Sequence, residues 1–293
     1  MAHKSGFVNI VGNPNVGKST FMNALLGEKL SIITSKAQTT RHRIFGIFND
    51  DEHQIVFSDT PGIIKPSYAL QENMMHFAHS TLKDADVLIL MTTIKEKSLK
   101  DELFLDTISK MNVPLLVLIN KIDISNQEEL ERAVGFWEEK LPNAEVYPIS
   151  ALEEFNTDLV LDRVKKLLDE GPAYFDKDAI TDKPERFFVS EIIREKVLLN
   201  YQKEIPYSVE VVVESFKEEE DIIRIAAVLY VTRDSQKGII IGHKGKEIKK
   251  VGSQARRDIE RFLGKKVFLE TFVKVSKNWR ENEKQLKRFG YQQ

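Results

Sequence analysis

The chain has 293 residues, 42% hydrophobic and 30% charged, with a formal net charge of −2. That length exceeds a typical single core, so two domains are expected. Cysteine is absent, which excludes disulfides and Cys-ligated zinc or iron–sulfur sites and fits a reducing, cytoplasmic setting.

In chain order, residues 1–6 show no long apolar core of the kind a secretory leader has. No apolar run anywhere approaches the ~18–20 residues of a membrane span. An apolar strand over 7–11 feeds Gly12, Asn13, Pro14, Asn15, Val16, Gly17, Lys18 and Ser19, spaced G-x-x-x-x-G-K-S. A helix over 19–26 follows, with Thr20 in its first turn. Strand, glycine-framed loop and helix in that order make a Walker A phosphate cradle. Loop N–H groups and the helix N-terminus meet phosphate oxygens, Lys18 reaches the β- and γ-phosphates, and the Ser19 hydroxyl takes Mg²⁺. Residues 33–43 are polar and lack periodicity. A mobile loop there should carry a threonine hydroxyl to Mg²⁺, with Thr40 the first choice and Thr39 the second.

Strands are expected over 45–49, at an edge, and over 55–58. The latter ends in Asp59, Thr60, Pro61 and Gly62. Asp59 suits a Mg²⁺ role exercised mainly through water, and the Gly62 N–H suits the γ-phosphate. Lys18, Thr40 and Gly62 are therefore the expected catalytic set. Helices over 70–83, 100–111, 127–141 and 158–168 alternate with strands over 87–91, 115–120 and 145–149. This pattern predicts an α/β fold with a mostly parallel sheet, helices on both faces and ligands beyond the strands' C-terminal ends. His76 and His79 share one helix but lack a third metal ligand, and are read as surface or core-edge residues.

Asn120, Lys121 and Asp123 form N-K-x-D at the end of the 115–120 strand. A carboxylate there accepts from guanine N1–H and N2, an arrangement adenine does not offer. Asn120 can brace the loop and contact the base, and the Lys121 stem can lie over the ring. Ser150, Ala151 and Leu152 follow the 145–149 strand as a second base-side loop. GTP or GDP is thus the expected ligand, and Asp123 argues against an ATPase or kinase. Ile63 stands where many GTPases carry the glutamine that positions water, so slow intrinsic hydrolysis is expected.

Gly171 and Pro172 end the alternation. A first domain over 1–172, a polar linker over 173–186 and a second domain over 187–293 are expected. The second domain reads as helix 187–200, strands 209–214 and 222–232, two helical segments around Gly242–Gly245, and strand 266–275. Residues 242–290 carry 15 Lys and Arg against 6 Asp and Glu, which marks a polyanion surface on an otherwise acidic chain. Ile241, Gly242, His243, Lys244, Gly245 and Lys246 contain a G-x-x-G loop that lets backbone approach backbone closely. Ile248, Val251, Ile259 and Phe262 recur at helical spacing toward a core, leaving Lys249, Lys250, Arg256, Arg257 and Arg261 mostly off that stripe. Residues 274–288, with Trp279 and the adjacent Phe289, either extend that polyanion surface by stacking on the bases of a single-stranded nucleic acid such as RNA or form an exposed terminal helix.

These motifs resemble translation-factor-like GTPases. The stretch from Gln38 to Arg43, the passage from Gly171 and Pro172 to Asp182, and the C-terminal α-β-β-α-α-β order resemble the bacterial Era family, across nearly the whole chain. The resemblance implies a P-loop GTPase domain followed by a smaller α+β type II KH domain. It implies a GTP-hydrolysing switch that binds the 3′ end of small-subunit ribosomal RNA and assists assembly of that subunit, as a monomer. It also implies peripheral association with the cytoplasmic face of the membrane. GTP/GDP and Mg²⁺ are the expected cofactors; Asn15 resembles the residue that holds K⁺ in related GTPases, and either holds K⁺ here or only stabilises the loop. The alternative is an RNA-binding scaffold whose nucleotide site is structural and non-catalytic.

Overall fold

The computed structural model describes residues 3–292. Residues 1, 2 and 293, which belong to the amino-terminal reading and to the expected domain bounds, lie outside the described residues. The chain divides into two compact units, one of residues 1–67 and 71–182, the other of 68–70 and 183–293.

The first unit contains β1 (Lys4–Val11), α1 (Lys18–Leu26), β2 (Ile44–Asn49), β3 (His53–Asp59), most of α2 (Ala69–Ser80), β4 (Val87–Thr93), α3 (Glu102–Ser109), β5 (Leu115–Asn120), α4 (Gln127–Lys140), β6 (Glu145–Pro148) and α5 (Thr157–Leu167). Its six strands run in the order β2-β3-β1-β4-β5-β6. Only β2 is antiparallel, against β3. The expected mostly parallel sheet is therefore present, with the 45–49 strand at its edge. Every residue from Val87 to Met91 and from Leu116 to Asn120 is buried, as strands covered on both faces must be. One face packs Phe104 and Ile108 of α3 and Ala133 and Trp137 of α4 against Leu88, Leu90, Val117 and Ile119.

Residues 174–182, within the stretch read as linker, lie along β2. Ile47 N–H donates to Ile180 O at 3.0 Å and Thr181 Oγ1 to Phe45 O at 2.7 Å. The buried Gln54 amide donates to Phe175 O and accepts from the Tyr174 and Phe175 N–H groups. These bonds occupy backbone groups that an edge strand would otherwise leave open.

The second unit contains α6 (Glu185–Asn200), α7 (Ile205–Ser208), β7 (Glu210–Glu218), β8 (Ile222–Val231), α8 (Asp234–Ile241), α9 (Lys246–Leu263), β9 (Lys266–Val275) and α10 (Glu283–Arg288). The sheet order is β7-β8-β9, with β7 antiparallel and β9 parallel to β8. Val189, Ile193 and Val197 of α6 and Val251, Ala255 and Ile259 of α9 repeat every four residues. They pack on alternate residues of β8, Ile223 through Val231, because periods of four on a helix and two on a strand each keep one face inward. Phe262, expected in this core, is 38% exposed and tilts against Phe188 instead.

The reading of residues 274–288 needs correction. Trp279 is fully buried and Phe289 is 8% exposed. Trp279 Nε1 donates to Ser208 O at 3.0 Å, its ring meets Phe289 and Tyr291, and the Tyr291 hydroxyl donates to Glu210. These rings stack on the protein itself and offer no platform to RNA bases. Among the described residues no helix is long and apolar enough to cross a membrane.

Candidate functional site

The loop between β1 and α1 is closed by its own lysine. Lys18 is buried, and its Nζ donates to Gly12 O and Asn13 O, both at 3.0 Å. Burial lowers its pKa to about 8, opposed by the Asp59 and Glu96 charges. Helix α1 starts with no side-chain cap and no acidic residue in its first turn, so its amide groups and dipole remain available to an anion. A cavity of about 260 Å³ opens there, lined by Pro14, Asn15, Gly17, Lys18, Ser19 and Thr20, and across from them by Thr39, Thr40, Thr60, Gly62 and Lys121.

Three oxygen-bearing side chains converge at this cavity. Ser19 Oγ donates to Asp59 Oδ2 at 2.6 Å and lies 3.0 Å from Thr40 Oγ1, which donates to Asp59 Oδ2 at 3.3 Å. Asp59 Oδ1 is buried and makes no well-formed hydrogen bond among the described residues, although the Ser31 hydroxyl is close enough to act on the carboxyl. Burial pushes the Asp59 carboxyl up, while the Ser19 hydroxyl and Lys18 charge pull it back. Two hydroxyls and a carboxylate with a spare oxygen fit a hard divalent cation such as Mg²⁺. Thr39 is engaged elsewhere, with Oγ1 donating to Lys36 O and lying 2.6 Å from Thr34 Oγ1. Thr60 donates to Ile10 O, which anchors the start of the D-T-P-G turn, and Pro61 is buried beside it. Ile63 N–H donates to Gly12 O at 3.0 Å, tying this turn to the phosphate loop. The Ile63 side chain is fully buried, in the core with Val11, Met75 and Ala78.

On the base side, Asn120 is spent on the protein. Its Nδ2 donates to Val16 O at 2.8 Å, and its Oδ1 accepts from Ala151 N–H at 2.9 Å. Gly17 is obligatory here, with φ of +104° and a Cβ that would lie 2.2 Å from Asn120 Nδ2. Lys121 Nζ donates to Asn15 O, and Asn15 Nδ2 to Ser35 O. Ser150 Oγ donates to Asp123 Oδ1 at 2.6 Å, which orients an exposed carboxylate. Ala151 is buried and Leu152 is 74% exposed.

The spacing of motifs did not disclose two groups. Arg43 pins the end of the 33–43 loop, donating to Ser58 Oγ, to Asn9 Oδ1 and through two nitrogens to Asp84. Glu96 accepts from Asn13 Nδ2 at 3.1 Å, and burial pushes its carboxyl up. Arg43 ends the Gln38–Arg43 stretch but its partners are not legible there, and Glu96 lies outside every motif, so only the fold brings these groups together. His76 and His79 belong to no cluster of metal-binding side chains, none being present among the described residues.

In the second unit, Gly242–Gly245 turns between α8 and α9. Gly242 has φ of +69°, and a Cβ there would lie 2.5 Å from Glu247 Cγ. His243, Lys244, Lys246, Lys249 and Lys250 are exposed and Ile241 is half-buried. The Tyr201 hydroxyl donates to Ile240 O at 2.7 Å and steadies the chain just before the loop. Burial and the Glu247 charge push that hydroxyl's pKa up to about 12, so it remains a donor.

Comparison with known proteins gives two family matches. The 50S ribosome-binding GTPase family matches residues 7–121, and the KH domain family matches 204–280. The chain is similar to Era in complex with MgGDPNP and nucleotides 1506–1542 of 16S ribosomal RNA, with 39% identity, 99% of each chain covered and a TM-score of 0.94. It is equally similar to a substituted Era from Aquifex aeolicus bound to GDP·AlF4⁻, at 39% identity and TM-score 0.94, covering 98% of this chain and 99% of that one.

Proposed function

Because the chain belongs to the Era family, we propose that it is a GTP-hydrolysing switch whose second unit grips single-stranded ribosomal RNA. The observation that carries this reading is the meeting of Ser19, Thr40 and Asp59 beside Lys18, on a loop braced by Asn120. Ser19, Thr40 and Asp59 would hold Mg²⁺, which when bound neutralises charge on the β- and γ-phosphate oxygens. Lys18 exchanges its two carbonyl partners for phosphate oxygens. Asp123, oriented by Ser150, accepts from the guanine edge. Gly62 presents its N–H at the γ-phosphate, so the 33–43 loop and the D-T-P-G turn close together on GTP and separate on GDP.

The Ile63 side chain belongs to the core and does not reach a water, so unassisted turnover is slow and a partner or cation must supply the missing order. Asn15, whose Nδ2 donates to Ser35 O, is the residue proposed to hold K⁺, through its remaining amide oxygen. The G-x-x-G loop binds RNA backbone while Ile241 and its neighbours meet bases. The target proposed is the 3′ end of small-subunit ribosomal RNA, with a role in assembling that subunit.

The test is RNA affinity in GDP-bound and GTP-analogue-bound protein, alongside single-turnover GTP hydrolysis with Mg²⁺. A difference between the two states with measurable hydrolysis is expected. Hydrolysis at background level with equal RNA affinities would establish the scaffold alternative instead.

A further inference from the structure

Glu96 lies in the turn after β4, with its N–H bonded to Thr93 O at 3.0 Å. No motif includes it, yet its carboxylate reaches the back of the phosphate loop. Oε1 accepts from Asn13 Nδ2 at 3.1 Å, and Oε2 accepts a long bond from Thr92 Oγ1 at 3.4 Å. Asn13 is 3% exposed. The remaining polar capacity of its side chain is also directed at this segment. Nδ2 donates to Ser98 O at 3.0 Å, and Oδ1 accepts from Lys100 N–H at 2.9 Å. The main-chain carbonyl of Asn13, together with that of Gly12, holds Lys18 Nζ. Residues 96–100 therefore clamp the side chain of Asn13, and its main chain positions the phosphate-binding lysine.

We infer that Glu96 is a positioning residue for nucleotide binding, acting through Asn13 on the orientation of Lys18. The inference rests on the nucleotide-binding reading above. Glu96 exerts two effects that chemistry can separate. Its hydrogen bond orients the Asn13 amide. Its negative charge acts on Lys18 and so competes with phosphate for that cation. Gln at this position retains an acceptor for Asn13 and removes the charge. Ala removes both.

The test measures affinity and dissociation rate for a fluorescent GDP analogue with Mg²⁺, in wild type, Glu96→Gln, Glu96→Ala, Asn13→Ala and the Asn13→Ala/Glu96→Ala double variant. Glu96→Ala should weaken affinity about tenfold, the scale of one lost hydrogen bond to a charged group, mainly through faster dissociation. Glu96→Gln should bind as tightly as wild type or more tightly. The double variant should be no worse than Asn13→Ala alone, because the pathway is already cut. Melting temperatures of the nucleotide-free variants identify any that fail to fold. Should Glu96→Ala be among them, the inference stands if Asn13→Ala loses affinity while Glu96→Gln does not, and falls if Glu96→Gln loses affinity or Asn13→Ala does not. The inference is overturned if Glu96→Gln falls as far as Glu96→Ala, if neither changes affinity by more than twofold, or if the double variant shows additive losses. Failure of the wild type to bind GDP would overturn the nucleotide reading itself, a distinguishable result.

Discussion

Asn120→Ala should destabilise the first unit as well as abolish guanine binding, because Asn120 joins two loops before any base arrives. Its amide donates to Val16 O at 2.8 Å and accepts from Ala151 N–H at 2.9 Å, and the residue is 3% exposed. Truncation strips partners from a buried carbonyl and a buried N–H. Each costs about 1–3 kcal/mol when left unsatisfied, so the expected loss is about 2–6 kcal/mol. Water entering from the adjoining cavity moves the value toward the lower end. Asp123→Asn provides the contrast. Asp123 is exposed and bonded to Ser150 Oγ through one oxygen, so its substitution should reduce guanine affinity with little change in stability. The assay is chemical denaturation of nucleotide-free protein, followed by GDP affinity for each variant. If Asn120→Ala unfolds within about 0.5 kcal/mol of wild type while losing affinity as Asp123→Asn does, Asn120 acts on the base directly and the bracing argument fails.

Trp279→Ala should cost the second unit about 3–5 kcal/mol, the range for emptying a buried aromatic site. Below its melting temperature it should bind short single-stranded RNA within about twofold of wild type, about 0.4 kcal/mol; lost RNA affinity with an unchanged melting temperature would restore the stacking role. Asp50 adds a pH dependence. Burial pushes its carboxyl up, but Lys165, the Glu52 and His53 N–H groups and the His53 ring outweigh it and hold the pKa well below the usual carboxylate range. A depressed folded pKa stabilises above the unfolded value, so Asp50→Asn should be less stable at neutral pH. The gap should begin to shrink below about pH 4 as the unfolded carboxyl protonates. A gap that stays constant down to the lowest pH at which the protein folds would contradict this assignment.

Local spacing carried much of this. The P-loop, N-K-x-D and D-x-x-G motifs each lie at a strand end, and the apolar runs of β3, β4 and β5 announced those strands. The edges were less legible. β1 begins at Lys4, three residues before its apolar run, because Lys4, Ser5 and Gly6 pair in register with His53, Gln54 and Ile55. No propensity in Lys-Ser-Gly foretells that. Residues 174–182 are polar and turn-rich, and their bonds to Phe45, Ile47 and Gln54 join positions more than a hundred residues apart. Trp279 and Phe289 sit among cations in the sequence, a pattern shared by an RNA platform and a docked segment. Burial against Ser208 and Tyr230 separates the two.

By itself, the sequence determined the ligand class and the chemistry. Phosphate and guanine recognition use short loops whose geometry depends on a few contiguous residues, above all glycines that permit close backbone approach. Tertiary structure decided which threonine meets Ser19 and Asp59, that Asn120 is a brace, that Ile63 faces the core, and that Glu96 backs the loop. Each of these depends on which distant surfaces exclude water from a side chain and leave its polar atoms one available partner, a property that belongs to the packed chain and not to any stretch of it.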